Sequence, residues 1–142
     1  MKPKVLFLCT GNSSRSQMAE GYLRHVASDK YEVLSAGIDP KGLHPLAVEV
    51  MSEVGIDISH QRSKDVRQLL GTPIQYVVTV CDNAKEHCPI FPNTYRFIHW
   101  SLDDPAAVSG SKEEKVATFR RVRGQIIRKI EEQFLPATHR TP

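Results

Sequence analysis

Short apolar runs that end at turn residues alternate along this chain with segments whose apolar residues repeat at helical spacing. The first run, Val5 to Leu8, is typical of a buried strand and ends at Cys9, and the segment from Ser16 to Ala27 has the apolar face of a helix. Strands that alternate with helices favour βαβ units, in which a parallel sheet carries helices on both faces. We therefore predict a three-layer α/β fold, a four-stranded parallel sheet flanked by helices.

The same pattern continues to the end of the chain. Further strands are predicted at residues 33–37, 76–80 and 95–100, and further helices at residues 45–54, 64–71 and 112–134. The last helix has the clearest start, because Ser111 and Glu114 have the spacing of a capping box.

Polar residues follow three of these strands directly. Cys9 follows the first strand, Cys81 the third, and the pair Asp103 and Asp104 the fourth. Open parallel sheets bind ligands beyond the carboxyl ends of their strands. We therefore expect these residues to converge on one edge of the sheet.

Length and composition are those of an ordinary globular chain. The 142 residues, 40% hydrophobic and 25% charged, fit one domain over residues 1–142, with residues 136–142 as a frayed tail. The net charge of +3 is spread along the chain, which disfavours nucleic-acid binding. The chain shows neither the ~20 apolar residues of a membrane helix nor a secretory signal. We expect a cytoplasmic monomer that binds neither nucleic acid nor membrane.

The chain has three cysteines, Cys9, Cys81 and Cys88. Cytoplasmic thiols stay reduced, which favours catalytic, redox or metal-binding roles over structural disulfides, although any one cysteine could be a buried inert thiol. The six residues between Cys81 and Cys88 do not match structural zinc spacing, and the six histidines are scattered. A thiol sensor that binds a metal or arsenite is therefore a disfavoured alternative, and no cofactor is predicted.

The segment from Cys9 to Ser16 lies between the first strand and the first helix, as anion-binding loops do. In a tight loop of this kind the backbone N–H groups turn inward, and the helix N-terminus adds unpaired donors. The guanidinium of Arg15 suits a tetrahedral oxyanion, and the same surroundings stabilise a thiolate. Cys9 is thus predicted to be a nucleophile beneath a bound oxyanion; the alternative is a helix-capping turn. The predicted substrate-binding residues are Thr10, Gly11, Asn12, Ser13, Ser14, Arg15 and Ser16.

Residues 9–21, CTGNSSRSQMAEG, closely resemble the thioredoxin-coupled arsenate reductases, which share a fold and an anion loop with the low-molecular-weight protein tyrosine phosphatases. The resemblance continues through residues 35–37, Cys81, Cys88 and residues 99–105. It covers nearly the whole chain up to the final helix. The fold implied is the low-molecular-weight phosphatase-like fold.

The resemblance also implies the roles of single residues. Cys9 would be the nucleophile, Arg15 the clamp for the oxyanion, and Ser16 a hydroxyl that hydrogen-bonds the thiolate. Asp104 would be the general acid that protonates the departing oxygen. Spacing alone does not distinguish Asp104 from Asp103, and a solvated acidic turn is the usual explanation for such a pair.

The second and third cysteines favour a reductase over a phosphatase. In a phosphatase water attacks the cysteinyl intermediate, whereas a reductase must supply two electrons through a second thiol. By resemblance, Cys9 attacks arsenate, Cys81 then attacks Cys9 with release of arsenite, and Cys88 attacks Cys81. Thioredoxin would reduce the final disulfide.

Three further positions favour the reductase. Phosphatases of this fold commonly have a second cysteine, a proline and aromatic residues where this chain has Ser14, Gln17 and the pair Ala106-Ala107. A low-molecular-weight phosphatase is the main alternative. Weak phosphatase side activity is expected of the reductase too, because the loop distinguishes phosphate from arsenate poorly by shape. Phosphate and sulfate are therefore expected loop ligands beside arsenate.

The segment between the second and third cysteines is expected to move. A helix over residues 83–88 would hold Cys81 and Cys88 roughly 10 Å apart at about 1.5 Å per residue. A disulfide needs Cα atoms within about 7 Å. The segment is short, polar and closed by Pro89, so we predict that it unwinds when the disulfide forms.

A potassium ion near the loop of some relatives is held by four side chains. Asn12, Glu20 and Ser35 match three of them, but Lys64 stands where the fourth is a carboxylate, with Asp65 next to it. A lysine ammonium could fill the space of the ion and pair with Glu20. We predict no bound metal and no potassium requirement; the alternative is that Asp65 takes the ligand role.

Overall fold

The computed structural model describes residues 1–135 of the chain. Its four parallel strands are β1 (Lys4–Cys9), β2 (Glu32–Gly37), β3 (Tyr76–Thr79) and β4 (Arg96–His99). They form one sheet in the order β2-β1-β3-β4. The helices in these residues are α1 (Arg15–Ala27), α2 (Pro45–Ser52), α3 (Asp82–Glu86) and α4 (Lys112–Phe134).

Both faces of the sheet are covered, as β1 demonstrates. Successive side chains of a strand point to opposite faces, and Val5, Leu6, Phe7 and Leu8 are all fully buried. Such a strand needs packing elements on both sides. The predicted three-layer α/β fold on a four-stranded parallel sheet is therefore confirmed.

The long C-terminal helix, α4, packs onto the sheet through aromatic rings. The ring centroid of Phe7 on β1 lies 5.8 Å from that of Trp100 and 6.3 Å from that of Phe134 on α4. The predicted capping box is present: Ser111 Oγ accepts the Glu114 N–H at 3.2 Å, and Glu114 Oε1 accepts the Ser111 N–H at 3.4 Å. Helices α1 and α2 both pack against α4.

The helix predicted over residues 64–71 is wrong. Only a single 3-10 turn, Val66–Leu69, forms there. Asp65 caps this turn by accepting the N–H of Arg67 at 2.9 Å. Val66 is the only buried residue of the turn, so the segment lacks the apolar face that stabilises a longer helix.

The helix supposed over residues 83–88 also needs correction, because α3 spans Asp82–Glu86 and ends before Cys88. It starts one residue earlier since Cys81 is its N-cap, with Sγ accepting the N–H of Ala84 at 3.4 Å. It ends early because Pro89 disfavours helical backbone at the residue before it. The assumption of a helix through Cys88, from which the separation of roughly 10 Å was calculated, is therefore wrong.

Two predictions concern the chain as a whole. Residues 136–142, the predicted frayed tail, lie outside the described residues, so the single domain over residues 1–142 stays a prediction. Within residues 1–135, no helix is both long enough and apolar enough to cross a membrane.

Candidate active site

The loop between β1 and α1 opens into a cavity at the carboxyl edge of the sheet. The loop begins after Cys9, the last residue of β1, and ends at Arg15, the first residue of α1. The cavity has a volume of about 480 Å³, and Asp104, from the loop after β4, lines it too. The structure thus brings Cys9, Arg15 and Asp104 together. Other lining residues are Thr10, Gly11, Ser13, Ser14, Lys41, His44 and Ala106.

The Cys9 thiol lies at the base of the loop and is buried. The backbone N–H of Asn12 donates to Cys9 Sγ at 3.1 Å, and Ser16 Oγ lies 2.8 Å from the same sulfur. Asn12 Nδ2 donates to Ser16 Oγ at 2.8 Å, which leaves the hydrogen of Ser16 free for the sulfur. A Cys9 thiolate therefore has two donors, and these stabilise the nucleophilic form.

Two backbone features shape the loop. Asn12 has a φ of +47°, in the left-handed region, and its own N–H is directed inward at Cys9 Sγ, as in anion-binding loops. Gly37, at the end of β2, passes so close that a β-carbon there would lie 2.7 Å from the carbonyl oxygen of Thr10. Only glycine fits at that position, which gives a physical reason for the glycine in the segment Ser35-Ala36-Gly37.

Two side chains that hold the loop escaped prediction from the sequence. Gln17 is fully buried, and its Nε2 donates to the carbonyl oxygen and to Oδ1 of Asn12, both at 3.0 Å. Ser63 Oγ donates to the same carbonyl oxygen at 2.6 Å. A polar amide on the buried side of the first helix could have indicated that Gln17 has a hydrogen-bonding role. Ser63 had no local signal, because its partner is 51 positions away.

Arg15 is held at the cavity wall by backbone carbonyl groups. Its Nη1 donates to the oxygen of Leu102 at 2.9 Å and to that of Val80 at 3.4 Å. Its Nη2 lies 3.9 Å from Asp104 Oδ2. The guanidinium is therefore fixed before an oxyanion arrives, with further donors left to bind one.

The structure distinguishes the two neighbouring aspartates, which sequence spacing alone could not. Asp104 lines the cavity above Cys9, and its carboxylate also caps a 3-10 turn by accepting the Ala106 N–H at 3.0 Å. Asp103 instead pairs with Arg121 of α4, at 3.5 Å. Asp104 is thus the one placed to exchange a proton with an oxyanion in this cavity.

Cys81 approaches the loop from the side of β3. Its Sγ lies 3.3 Å from Thr10 Oγ1, so the second cysteine touches the loop that holds the first. Cys81 also lines a second cavity, of about 320 Å³, to which Arg15 and Asp104 contribute. These two side chains therefore stand between the cavity of Cys9 and the cavity of Cys81.

Cys88 lies in different surroundings. It is half-buried and lines a third cavity, of about 200 Å³, together with Val77, Phe91 and Phe97. Its Sγ donates to the carbonyl oxygen of Pro89 at 3.3 Å. Burial raises the pKa of the Cys88 thiol to about 11, so this thiol is protonated at neutral pH. All three cysteines are free thiols, and the structure does not bring Cys88 to the other two cavities.

Glu20, one of the residues that match a potassium site in relatives, is buried and surrounded by donors. Its Oε2 accepts from Arg24 Nη1 at 2.5 Å, and its Oε1 accepts a short hydrogen bond from the Ser35 hydroxyl. Lys64 Nζ lies 3.4 Å from Glu20 Oε1. An ammonium group therefore already balances the carboxylate that a cation would neutralise.

Asp65 makes its side-chain contacts with Arg67 rather than with Glu20. Its carboxylate is bound by the Arg67 guanidinium, with Oδ2 2.5 Å from Nη2, and this contact lowers the pKa of Asp65 to about 2. Within residues 1–135, no group of three or more histidine, cysteine, aspartate or glutamate side chains is placed to hold a metal ion.

Comparison with known proteins identifies the family. The model of the low molecular weight phosphotyrosine protein phosphatase family matches residues 4–140. The chain belongs to this family. One family relative, the arsenate reductase of Halalkalibacterium halodurans, is 48% identical to it over 91% of this chain and 93% of that protein.

Solved structures of arsenate reductases share the fold of this family member. One, in its phosphate-binding state, has a TM-score of 0.80 and 36% identity, and covers 93% of this chain and 95% of that chain. Another, the thioredoxin-dependent arsenate reductase of Corynebacterium glutamicum, has a TM-score of 0.65 and 31% identity, over 92% of this chain and 61% of that chain. The predicted resemblance to arsenate reductases with a phosphatase-like fold is confirmed.

Proposed function

We propose that this protein is an arsenate reductase, in which Cys9 is the nucleophile and Cys81 and Cys88 form a disulfide relay. The observation that carries the proposal is the contact of 3.3 Å between Cys81 Sγ and Thr10 Oγ1, which puts a second thiol beside the anion loop. A phosphatase has no use for that thiol, whereas a reductase needs it to supply electrons. The arsenate reductases among the relatives support the same assignment.

The first step is attack on bound arsenate. Residues 10–16 bind the oxyanion through inward N–H groups, the α1 N-terminus and the fork of Arg15. The Cys9 thiolate forms a bond to arsenic while one arsenic–oxygen bond breaks. Asp104 protonates the departing oxygen, which leaves as water. Phosphate and sulfate compete for the same loop.

The second step is the reduction itself. The Cys81 thiolate forms a bond to the sulfur of Cys9, and the bond between that sulfur and arsenic breaks. The bonding electron pair stays on arsenic, so arsenic(V) becomes arsenic(III) and leaves as arsenite. The two thiols have lost two electrons and are joined as a Cys9–Cys81 disulfide.

The third step moves the oxidation away from the anion loop. The Cys88 thiolate attacks Cys81, and Cys9 leaves as a thiolate that is ready for another turnover. Because the half-buried Cys88 lines a different cavity from Cys81, the segment after Cys81 must rearrange first. Thioredoxin then reduces the Cys81–Cys88 disulfide and supplies two electrons. The thioredoxin dependence in the name of the Corynebacterium glutamicum relative supports this choice of reductant.

Three consequences accompany the proposal. The enzyme needs no potassium, because Lys64 balances Glu20 at 3.4 Å. It acts in the cytoplasm, since reduced thiols are required at the start of each turnover. Phosphate ester hydrolysis is at most a side activity, because the cavity wall has Ala106 where an aryl group would need an aromatic partner.

Arsenate-dependent consumption of NADPH, with thioredoxin and thioredoxin reductase present, tests the proposal. We expect steady consumption that stops when arsenate or thioredoxin is left out, beside little hydrolysis of an aryl phosphate. The matched control is Cys9→Ser, which should lose all activity yet still fold and bind phosphate, since the donors of the loop are backbone groups. Efficient aryl phosphate hydrolysis without arsenate reduction would identify a phosphatase instead.

A further inference from the structure

His99, the last residue of β4, is bound at both of its ring nitrogens. Its Nδ1 lies 2.7 Å from Thr79 Oγ1, and its Nε2 lies 3.0 Å from Asp82 Oδ1. An ionised carboxylate only accepts, so Nε2 donates to Asp82, and in the neutral ring Nδ1 accepts the hydrogen of Thr79. Thr79 is fully buried on β3, so the rigid sheet sets the orientation of the imidazole.

Asp82 connects this imidazole to the proposed relay. It is the first residue of α3 and comes directly after Cys81, the N-cap of that helix. A second contact holds the same turn from the other side: Asn83 Nδ2 donates to Thr10 Oγ1 at 2.9 Å. The first turn of α3 is therefore tied to β4 through His99 and to the anion loop through Thr10.

Packing alone holds α3 weakly. The helix has five residues, of which only Ala84 is buried. A helix this short has little stability of its own. Its position, and with it the direction of the Cys81 thiol, therefore depends on the two side-chain contacts of its first turn.

We propose that His99 is a positioning residue of the relay, which holds Cys81 at the anion loop through Asp82. The inference rests on the proposed function. In it, the contact between His99 and Asp82 affects two steps, the formation of Cys9–Cys81 and the transfer to Cys81–Cys88. While His99 holds Asp82, Cys81 stays beside Thr10, where it can attack Cys9. When Asp82 is released, the segment can rearrange so that Cys88, which lines a different cavity, reaches Cys81.

The contact therefore has opposite effects on the two disulfides. Loss of it slows formation of Cys9–Cys81, because Cys81 no longer stays at the loop. Loss of this contact does not slow the transfer to Cys81–Cys88. It favours that transfer, because the segment after Cys81 is already free. A defect of the fold as a whole would slow both steps together.

The test is a single turnover of the reduced enzyme with arsenate, quenched by alkylation and followed by peptide mass mapping of both disulfides. Asp82→Ala should slow formation of Cys9–Cys81 about twofold to fivefold, the effect of one charge-assisted hydrogen bond whose carboxylate is largely exposed. Conversion to Cys81–Cys88 should be as fast as in wild type or faster. Asp82→Asn keeps an acceptor oxygen for His99 and should restore most of the first rate.

Glu86→Ala is the matched control. Glu86 is an exposed carboxylate on the same helix, and within the described residues no side-chain hydrogen bond or ion pair involves it. This variant removes the same charge and should leave both rates unchanged. The proposal is overturned if Asp82→Ala behaves like Glu86→Ala, or if it slows both steps equally.

Amide exchange of the reduced enzyme separates this inference from the proposed function. Asp82→Ala should speed exchange across residues 82–86 severalfold relative to wild type and Glu86→Ala. Unchanged exchange overturns the positioning role. If wild type forms no arsenate-dependent disulfide at all, the proposed function fails instead, and the exchange result still decides whether the contact of Asp82 with His99 holds the helix.

Discussion

Ser16 Oγ lies 2.8 Å from Cys9 Sγ and at the same time accepts a hydrogen bond from Asn12 Nδ2. The donor on its other side directs the hydrogen of Ser16 onto the sulfur. Asn12 Nδ2 also donates to Ser35, which in turn donates to Glu20. A buried, cation-balanced carboxylate is thus connected through hydrogen bonds to the proposed nucleophile.

Removal of the Ser16 hydroxyl tests the inner part of this network. We expect Ser16→Ala to lower kcat for arsenate about tenfold with a smaller change in KM, because a hydrogen bond to a charged group contributes roughly 1.5–3 kcal/mol. Alkylation of Cys9 by iodoacetamide should slow in parallel. Ser52→Ala, at an exposed position that ends α2, is the control. An unchanged kcat in Ser16→Ala would show that the hydroxyl does not act on the thiolate.

Gly37→Ala tests the close approach of β2 to the loop. A β-carbon there would lie 2.7 Å from the Thr10 carbonyl oxygen, so backbone must shift. We expect a loss of about 1–3 kcal/mol in the free energy of unfolding, together with weaker phosphate binding. Gly124→Ala, on an open position of α4, should instead stabilise the protein by roughly 0.5–1 kcal/mol. Equal urea midpoints for the two variants would contradict the packing argument.

The sequence predicted the loop well because the loop is local. Cys9, Arg15 and the residues between them form one uninterrupted strand-loop-helix segment, so strand end, turn and helix start could all be identified along the chain. The sheet followed from the alternation of apolar runs in the same way. Local patterns of this kind need no knowledge of what packs against them.

The features that could not be predicted depend on contacts between residues far apart in the sequence, or on helix ends that only the structure shows. Spacing could not assign different roles to Asp103 and Asp104, because Asp103 pairs with Arg121, a distant residue of α4. Ser63 has no feature that marks it as a partner of the loop. In the structure, α3 begins where Cys81 caps it. The segment after Ser63 forms no longer helix because it has no apolar face.

The thiol of Cys88 has a pH dependence that can be measured directly. Burial raises its pKa to about 11 from the ordinary 9.0, so the folded state binds this proton more tightly than the unfolded state. The stability that this group contributes is therefore present below about pH 9 and lost as the pH rises towards 11. Alkylation of Cys88 in the reduced protein should be slow at pH 8 and rise steeply towards pH 11. Fast alkylation at pH 8, relative to a cysteine peptide, would contradict the buried thiol.

Potassium dependence tests the contact between Lys64 and Glu20. Steady-state arsenate reduction should be the same in potassium and sodium buffers of equal ionic strength, because the ammonium already lies 3.4 Å from the carboxylate. Lys64→Asp would replace that ammonium with a fourth oxygen ligand, and we expect this variant to gain a lower KM in potassium. A potassium-specific gain in wild type would rule out the substitution of a lysine for the ion.

The most direct test of the relay is a single experiment on Cys88→Ser. With arsenate and thioredoxin present, this variant should release one equivalent of arsenite and then stop, because no thiol at position 88 can attack Cys81 and release Cys9. Peptide mass mapping of the stalled protein should find Cys9 joined to Cys81. Sustained thioredoxin-coupled turnover in Cys88→Ser, with no Cys9–Cys81 disulfide, would contradict the three-cysteine relay.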